Sequence, residues 1–154
     1  MKTVRALVLG LASGLAATAV AQPLGGLGSQ ELLDPQVAFR LTAVALDAKS
    51  ALVEFRIASG YYMYRDRFRF EAAEGGVIAG AELPKGRIKQ DPVFGRTEIY
   101  RDRVSIRVPL GGAEPARGRV RLKVVSQGCS DSGVCYIPQE QRVEVGLGAD
   151  RGAR

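Results

Sequence analysis

Residues 37–58, VAFRLTAVALDAKSALVEFRIA, indicate the fold class of this chain. Apolar side chains alternate with other residues along residues 37–43 and again along residues 52–58. An alternation with a period of two is typical of β-strands that bury one face. Residues 47–50 lie between the two stretches and predict a hairpin turn that joins them.

The rest of the chain continues this pattern in short segments that glycine, proline and aspartate interrupt. No stretch has a convincing helical period, and neither an internal repeat nor a second domain is visible. We predict further strands at residues 61–64, 68–70, 97–100, 104–108, 120–125 and 143–147, with an irregular stretch at residues 83–95. This pattern favours an all-β sandwich, with an open-faced barrel as the alternative.

The first residues resemble a secretory signal. Lys2 and Arg5 precede an uncharged, small-residue and leucine-rich run at residues 6–20, and Ala19 and Ala21 fit a small-x-small cleavage site. The alternative is a membrane anchor, but a run of about 15 residues is shorter than the roughly 20 that a spanning helix needs. We therefore expect a cleaved signal peptide and an exported chain.

The predicted organisation follows from these boundaries. Residues 1–21 are the signal peptide, residues 22–32 a glycine-rich flexible lead-in, residues 33–147 one domain, and residues 148–154 a disordered tail. Removal of 21 of the 154 residues leaves 133, enough for one domain with its own core. Export would place the cysteines in a compartment where disulfides persist.

Charge and composition narrow the function. The chain has 22 Lys and Arg against 16 Asp and Glu, and loss of Lys2 and Arg5 lowers its net charge from +6 to +4. The basic residues alternate with apolar ones, which is typical of a solvated strand face rather than a nucleic-acid surface. The chain has no histidine, which excludes Ser–His and Cys–His nucleophile pairs and histidine-ligated metals. Two cysteines cannot fill a zinc site, so we expect no metal and no other cofactor.

The two cysteines, Cys129 and Cys135, lie in the segment QGCSDSGVCYIP at residues 127–138. Closing so small a loop restricts the unfolded chain by only about 2–3 kcal/mol, which is modest for a structural disulfide. The predicted strands on either side would place both thiols near the end of a hairpin, where another protein's thiolate can reach them. Spacing alone leaves both a static bridge and a redox pair open.

The segment at residues 127–138 closely resembles the active-site segment of the N-terminal periplasmic domain of the DsbD family of thiol:disulfide interchange proteins. Three other stretches agree in the same order. They are LDP with AF at residues 33–39, GYYMYR at residues 60–65, and DPVFG followed by EIYR at residues 91–101. The resemblance covers residues 33–145.

This resemblance implies an immunoglobulin-like β-sandwich with an inserted active-site and cap-loop region. It implies a periplasmic thiol–disulfide oxidoreductase of the protein-disulfide reductase type, which cycles between dithiol and disulfide. Electrons would come from a thioredoxin-like domain or a membrane electron transporter. They would pass to periplasmic disulfide isomerases or to the thioredoxins of cytochrome c maturation. Neither nucleic acid nor a cofactor would take part.

The resemblance also assigns roles to the cysteines. It implies that Cys135 forms mixed disulfides with partners and that Cys129 resolves them. Tyr62 and Tyr64 match aromatics that line the active site, although ordinary sheet packing explains them equally well. Tyr136 is expected to pack beside Cys135.

Residues 91–95 match the cap loop, which shields the cysteines until a partner displaces it. The family usually has an aromatic residue, typically phenylalanine, where this chain has Val93, and Phe94 is the adjacent aromatic. We expect Val93 to shield less, with Phe94 compensating. Asp91, if it is held near the thiols, would raise their pKa by like-charge repulsion.

Two other functions remain open at this stage. One is an immunoglobulin-like adaptor whose disulfide is purely structural. The other is a copper or cytochrome assembly chaperone, although the absence of histidine and the presence of only two methionines disfavour direct metal binding. Full-length DsbD proteins continue into a membrane domain and a thioredoxin-like domain, so the sequence represents either a free-standing relative or a truncated product.

Overall fold

Antiparallel strand pairs make up most of the described part of the chain, which is residues 31–72, 78–111 and 118–147 of a computed structural model. The ten strands are β1 Phe39–Asp47, β2 Ser50–Ile57, β3 Tyr61–Tyr64, β4 Arg69–Ala72, β5 Arg87–Asp91, β6 Gly95–Tyr100, β7 Arg103–Pro109, β8 Arg119–Ser126, β9 Gly128–Ser130 and β10 Gln139–Gly146. A four-residue helix, α1 Pro35–Ala38, precedes β1, and a 3₁₀ turn at Arg65–Arg67 follows β3. The all-β prediction is confirmed.

The predicted hairpin at residues 37–58 forms as β1 and β2, which pair from Phe39 with Ile57 to Asp47 with Ser50. The Asp47 carboxylate closes the turn, because it accepts hydrogen bonds from Lys49 N at 2.7 Å and Ser50 Oγ at 2.7 Å. Side chains of aspartate commonly stabilise turns in this way.

The prediction that the first strand starts at residue 37 is wrong. The Asp34 carboxylate caps α1 by accepting a hydrogen bond from Gln36 N at 2.8 Å, and Pro35 occupies its first turn. Both residue types favour the start of a helix, so residues 37 and 38 are helical and the strand begins at Phe39.

The predicted irregular stretch at residues 83–95 contains β5, which pairs with β6 from Arg87 opposite Ile99 to Asp91 opposite Gly95. This strand lies at the edge of its sheet and most of its residues are exposed or half-buried. A strand that buries neither face fully has no apolar alternation, so the sequence pattern does not show it.

The strands form three sheets, with the orders β1–β2–β7, β10–β8–β4 and β5–β6–β3–β9. One core cluster joins their inner faces. Its fully buried members include Phe39, Val53, Phe55, Met63, Ile106, Val108, Leu122, Val124 and Val145.

Strand β3 separates this core from a second, smaller cluster. Tyr61 and Met63 belong to the core, whereas Tyr62 and Tyr64 belong to a cluster with Ile99 and Cys129. Successive side chains of a strand lie on opposite faces, so a strand that is buried on both sides serves two clusters. The four residues of β3 are all buried for this reason.

The cysteine segment connects β8 and β10, which pair with each other up to Ser126 opposite Gln139. Within this connection, β9 leaves the β8–β10 hairpin and pairs with β3, with Cys129 opposite Tyr62. The predicted placement of both thiols between these two strands agrees with this geometry.

Several boundary predictions lie outside the described residues. They concern the signal peptide at residues 1–21, all but residues 31 and 32 of the lead-in, and the tail at residues 148–154. In the parts of the chain that the structure describes, no helix has the length and apolar character needed to cross a membrane.

We predict that Gly128→Ala destabilises the domain by about 1–3 kcal/mol, because the structure has no room for a side chain at this position of β9. A Cβ atom at Gly128 would lie 2.4 Å from Phe39 Cζ and 2.5 Å from the Tyr62 carbonyl oxygen. Gly146→Ala is the matched control, since a Cβ there meets nothing within 4 Å. Urea unfolding of both variants measures the difference, and equal midpoints would contradict the prediction.

Candidate active site

The two cysteines form a disulfide with an Sγ–Sγ distance of 2.10 Å and a Cα–Cα distance of 3.9 Å. Their surroundings differ. Cys129 lies in β9 and is fully buried, whereas Cys135 follows a turn and is exposed. Of the two sulfur-bearing residues, Cys135 is therefore the one that an incoming protein can reach.

A tight turn joins the cysteines. Ser130 N donates to the Val134 carbonyl at 2.8 Å, and Gly133 N donates to the Ser130 carbonyl at 3.1 Å. Gly133 has φ +89°, a conformation that costs glycine little and other residues more. The backbone of the turn is also attached to the domain, because Asp131 N donates to the Gly60 carbonyl at 2.7 Å.

The Tyr64 hydroxyl lies beside the disulfide. Its Oη is 3.2 Å from Cys129 Sγ and 3.9 Å from Cys135 Sγ. The same hydroxyl donates a hydrogen bond to Asp91 Oδ2 at 2.8 Å. Its single proton is thus engaged by the carboxylate, and its oxygen lone pairs face the sulfur.

Asp91 is a buried carboxylate, only 3% exposed, at the end of β5. Its Oδ2 accepts hydrogen bonds from the hydroxyls of Tyr64 and Tyr62, the latter at 3.2 Å, and its Oδ1 accepts from Val93 N at 2.9 Å and Phe94 N at 3.1 Å. Lys89 Nζ lies 3.4 Å from Oδ2. Every donor in this set favours the ionised carboxylate.

These contacts move the pKa values of both partners. Burial acts to raise the pKa of Asp91, but the hydrogen bonds from Val93 N, Tyr64, Phe94 N and Tyr62 outweigh it and hold the pKa well below its ordinary value. Burial, followed by the hydrogen bonds with Tyr62 and Asp91, raises the pKa of Tyr64 above its ordinary value. At neutral pH the pair is therefore a carboxylate and a protonated phenol.

The turn between β5 and β6 carries the two residues expected to form the cap. Val93 is 70% exposed, whereas Phe94 is 37% exposed and packs edge-on against the Tyr64 ring with centroids 4.9 Å apart. The Arg67 guanidinium lies over the Phe94 ring, with its carbon 4.4 Å from the ring centroid. Of these two residues, Phe94 is thus the one whose side chain packs on Tyr64, while Val93 is mostly exposed to solvent.

Tyr136 lies apart from the tyrosine–aspartate cluster. Its ring packs edge-on against Phe39 with centroids 5.5 Å apart and tilted against Tyr61 at 6.3 Å, and its hydroxyl donates to the Leu33 carbonyl at 2.5 Å. Its N–H donates to the Gly128 carbonyl at 3.0 Å. Tyr136 therefore attaches the chain after Cys135 to the core and to the start of the domain.

Sequence reasoning missed three residues at the site. Ile99 packs in the small cluster, and Lys89 Nζ and the Arg101 guanidinium lie 5.0 and 5.2 Å from the centroid of the Tyr62 ring. Ile99 and Arg101 stand in the EIYR motif, but a motif does not show which distant residues its members contact. Lys89 lies in β5, which the sequence pattern did not reveal.

In the described residues, no cluster of three or more His, Cys, Asp or Glu side chains is arranged to hold a metal ion. The reactive groups that the site brings together are the sulfur pair, with one exposed and one buried cysteine, and a hydrogen-bonded phenol and carboxylate.

Fold and site together define an immunoglobulin-like domain that presents a small-loop disulfide. The family described as "Thiol:disulfide interchange protein DsbD, N-terminal" matches residues 29–147, and the chain belongs to this family. A crystal structure of the reduced DsbD N-terminal domain of Neisseria meningitidis is similar, with a TM-score of 0.63 and 30% identity over 75% of this chain and 90% of that one. The predicted family and immunoglobulin-like fold are confirmed.

Curated relatives agree. Thiol:disulfide interchange protein DsbD 1 of Pseudomonas aeruginosa is 39% identical over 81% of this chain, and DsbD of Ralstonia nicotianae is 42% identical over 76%. The chain spans only about a fifth of the length of these relatives, since the matches cover 21% and 19% of them. A second Neisseria meningitidis structure, a complex between the DsbD N-terminal and PilB N-terminal domains, matches with a TM-score of 0.60 and 30% identity over 74% of this chain and 87% of that one.

We predict that Asp91→Asn flattens the acid limb of the stability profile. Because the pKa of Asp91 is depressed in the folded state, its contribution is present above the ordinary value near 3.9 and is lost as pH falls below it toward the folded value. The substitution should cost about 1–3 kcal/mol at pH 7 and less at low pH. Urea unfolding between pH 2.5 and 7 checks this, in roughly half-unit steps. A parallel shift of the whole profile would contradict it.

We predict that Phe94→Ala speeds reduction of the disulfide by glutathione several-fold, roughly two- to tenfold. The substitution removes the ring that packs on Tyr64, whose hydroxyl lies 3.2 Å and 3.9 Å from the two sulfurs. Val93→Ala is the matched control and should change the rate little, since Val93 is already mostly exposed. Stopped-flow or thiol-trapping kinetics measures both rates. A larger effect at Val93 than at Phe94 would show that the valine is the shielding residue.

Proposed function

We propose that this domain is a periplasmic electron relay that passes reducing equivalents through Cys129 and Cys135 as a protein-disulfide reductase. Membership of a thiol:disulfide interchange family supports oxidoreductase chemistry at this pair. The observation that carries the proposal is the asymmetry of the disulfide, with Cys135 exposed and Cys129 fully buried. An exchange site needs one sulfur that partners reach and a second that only its neighbour reaches.

The reductive half-reaction uses both thiols of the reduced domain. The Cys135 thiolate attacks one sulfur of an oxidised partner, so a Cys135–partner disulfide forms and the partner's second sulfur leaves with the electron pair and takes up a proton. Cys129, deprotonated, then attacks Cys135 Sγ, and the partner's remaining sulfur leaves and is protonated. The partner gains two electrons and two protons, and the domain ends as the Cys129–Cys135 disulfide. No metal or prosthetic group takes part.

The neighbours of the sulfurs suit this order of steps. The ionised Asp91 lies one hydroxyl away from Cys129, through Tyr64, and disfavours a second negative charge there. In the disulfide state the Tyr64 oxygen lies 3.2 Å from Cys129 Sγ, close enough to accept a hydrogen bond from the Cys129 thiol once the disulfide is reduced. These neighbours suit Cys129 as the second, resolving sulfur rather than as the one that attacks the partner.

The proposed partners are those that membership of the DsbD family implies. Electrons arrive from a thioredoxin-like domain or a membrane electron transporter. They leave to a periplasmic disulfide isomerase or a thioredoxin of cytochrome c maturation. A complex of a related DsbD N-terminal domain with a PilB N-terminal domain supports docking of a protein at this kind of domain. Nucleic acid has no part in the proposal.

Single-cysteine variants test the roles. Cys129→Ser and Cys135→Ser are each mixed with a thioredoxin whose one remaining active-site cysteine carries a thionitrobenzoate leaving group, and its release is followed. We expect Cys129→Ser to form the mixed disulfide about tenfold faster or more, because Cys135 is the exposed residue.

The reverse order of rates would exchange the two roles. No adduct with either variant, together with a wild-type disulfide that resists glutathione until the fold is unfolded, would instead indicate an adaptor with a static bridge. Circular dichroism of both variants checks whether the fold is intact.

A further inference from the structure

Asp131 is the one charged residue between the two cysteines. Its side chain forms an ion pair with Arg101, which follows β6. Arg101 Nη2 donates to Asp131 Oδ1 at 2.7 Å, and Arg101 Nη1 donates to Asp131 Oδ2 at 3.0 Å. A bidentate arginine–carboxylate pair fixes direction as well as distance. The Arg101 side chain is 29% exposed, so the pair is partly shielded from water.

Arg101 is itself held in place by its own surroundings. It follows β6, and the next residue, Asp102, has φ +61°, a left-handed conformation that aspartate adopts more readily than most residues. The Asp102 carbonyl accepts a hydrogen bond from Ile57 N at 2.8 Å, which ties this turn to the end of β2. Arg101 Nη1 also donates to the Tyr61 carbonyl at 3.3 Å. Arg101 is therefore a fixed point to which the cysteine turn is attached.

The two cysteines depend on this attachment to different degrees. Cys129 is held by the pairing of β9 with β3, a set of backbone contacts that does not include the disulfide itself. Cys135 lies outside the ten strands, and its backbone pairs with that of Cys129 only as an isolated antiparallel β-bridge. Once the disulfide is reduced, the turn and the chain after it must keep Cys135 near its partner.

We propose that Arg101 is a positioning residue for disulfide formation, which holds the cysteine turn through Asp131 so that the two sulfurs stay within reach of each other in the dithiol state. This inference rests on the proposed function, since it concerns the same cysteine pair. The step it assists is the second one above, in which Cys129 attacks Cys135 Sγ and the partner's sulfur leaves with the electron pair. Positioning raises the effective concentration of one thiol at the other.

The sign of the effect depends on which redox state loses more order when the ion pair is broken. If the ion pair favours the disulfide, the disulfide favours the ion pair by the same factor. When the Arg101–Asp131 ion pair is broken, the disulfide still holds the two sulfurs together in the oxidised state. Only in the dithiol state does the cysteine turn become free to move the sulfurs apart. The effective concentration of the thiols then falls, and the reduction potential of the pair becomes less negative.

The test compares Asp131→Asn, Arg101→Gln, the double variant and Arg101→Lys with wild type in glutathione redox buffers. Each neutral variant should lower the effective thiol concentration about two- to fivefold, as expected for a partly exposed ion pair. This corresponds to a potential that is about 10–20 mV less negative. The double variant should equal Arg101→Gln, because the ion pair with Asp131 is already lost in that single variant. Arg101→Lys should fall between wild type and Arg101→Gln.

Arg107→Gln is the matched control. It breaks the ion pair of Arg107 Nη2 with Asp47 Oδ2 at 3.1 Å, in which both side chains are about half exposed, on a turn without cysteines. We expect it to leave the glutathione equilibrium unchanged. Asp131→Asn is the cleaner of the two site variants, because it keeps the bond from Arg101 to the Tyr61 carbonyl.

Melting temperatures of the oxidised and reduced forms complete the test. Equal losses of stability in both forms, with an unchanged glutathione equilibrium, would show that Arg101 is merely structural and would overturn the inference. A wild-type disulfide that does not equilibrate with glutathione in the folded state would overturn the proposed function and the inference together. A relay that works in wild type, with unaltered potentials in the variants, overturns the inference alone.

Discussion

The buried carboxylate of Asp91 organises the site. A charge that is removed from water must be compensated by hydrogen-bond donors, and here the donors come from two elements. The hydroxyls of Tyr62 and Tyr64 come from β3, and two backbone N–H groups come from the turn after β5. Satisfying this one anion fixes the turn against the sheet. It also orients the Tyr64 hydroxyl, whose oxygen then lies against the sulfur of Cys129.

Strand β3 places this arrangement directly behind the hydrophobic core. Because its side chains alternate between faces, Met63 packs into the core while Tyr62 and Tyr64 face the disulfide. Gly128 allows β9 to approach closely on the other side, with no side chain between it and Phe39. The redox pair is thus supported by a strand that is buried on both faces, although Cys135 itself is exposed.

The disulfide is suited to exchange rather than to stabilisation. A loop closed over seven residues contributes only about 2–3 kcal/mol in the chain-entropy description, which is less than a bridge between distant strands would contribute. Hydrogen bonds within the turn, the Arg101–Asp131 ion pair and the bond from Tyr136 N to the Gly128 carbonyl hold the cysteine segment in addition to the sulfur–sulfur bond. These contacts provide a framework in which the two thiols can separate and rejoin.

The sequence by itself determined the all-β class, the β1–β2 hairpin and the importance of Cys129 and Cys135, because alternation, turn residues and a compact cysteine motif are local patterns. It missed α1, where capping by Asp34 overrides the alternation, and β5, whose edge position leaves no apolar period. Only the tertiary structure decided which cysteine is buried, that Phe94 rather than Val93 contacts Tyr64, and that Arg101 reaches Asp131. These relations join residues 30 or more positions apart through sheet pairing, and the spacing of residues along a chain contains no record of which strands become neighbours.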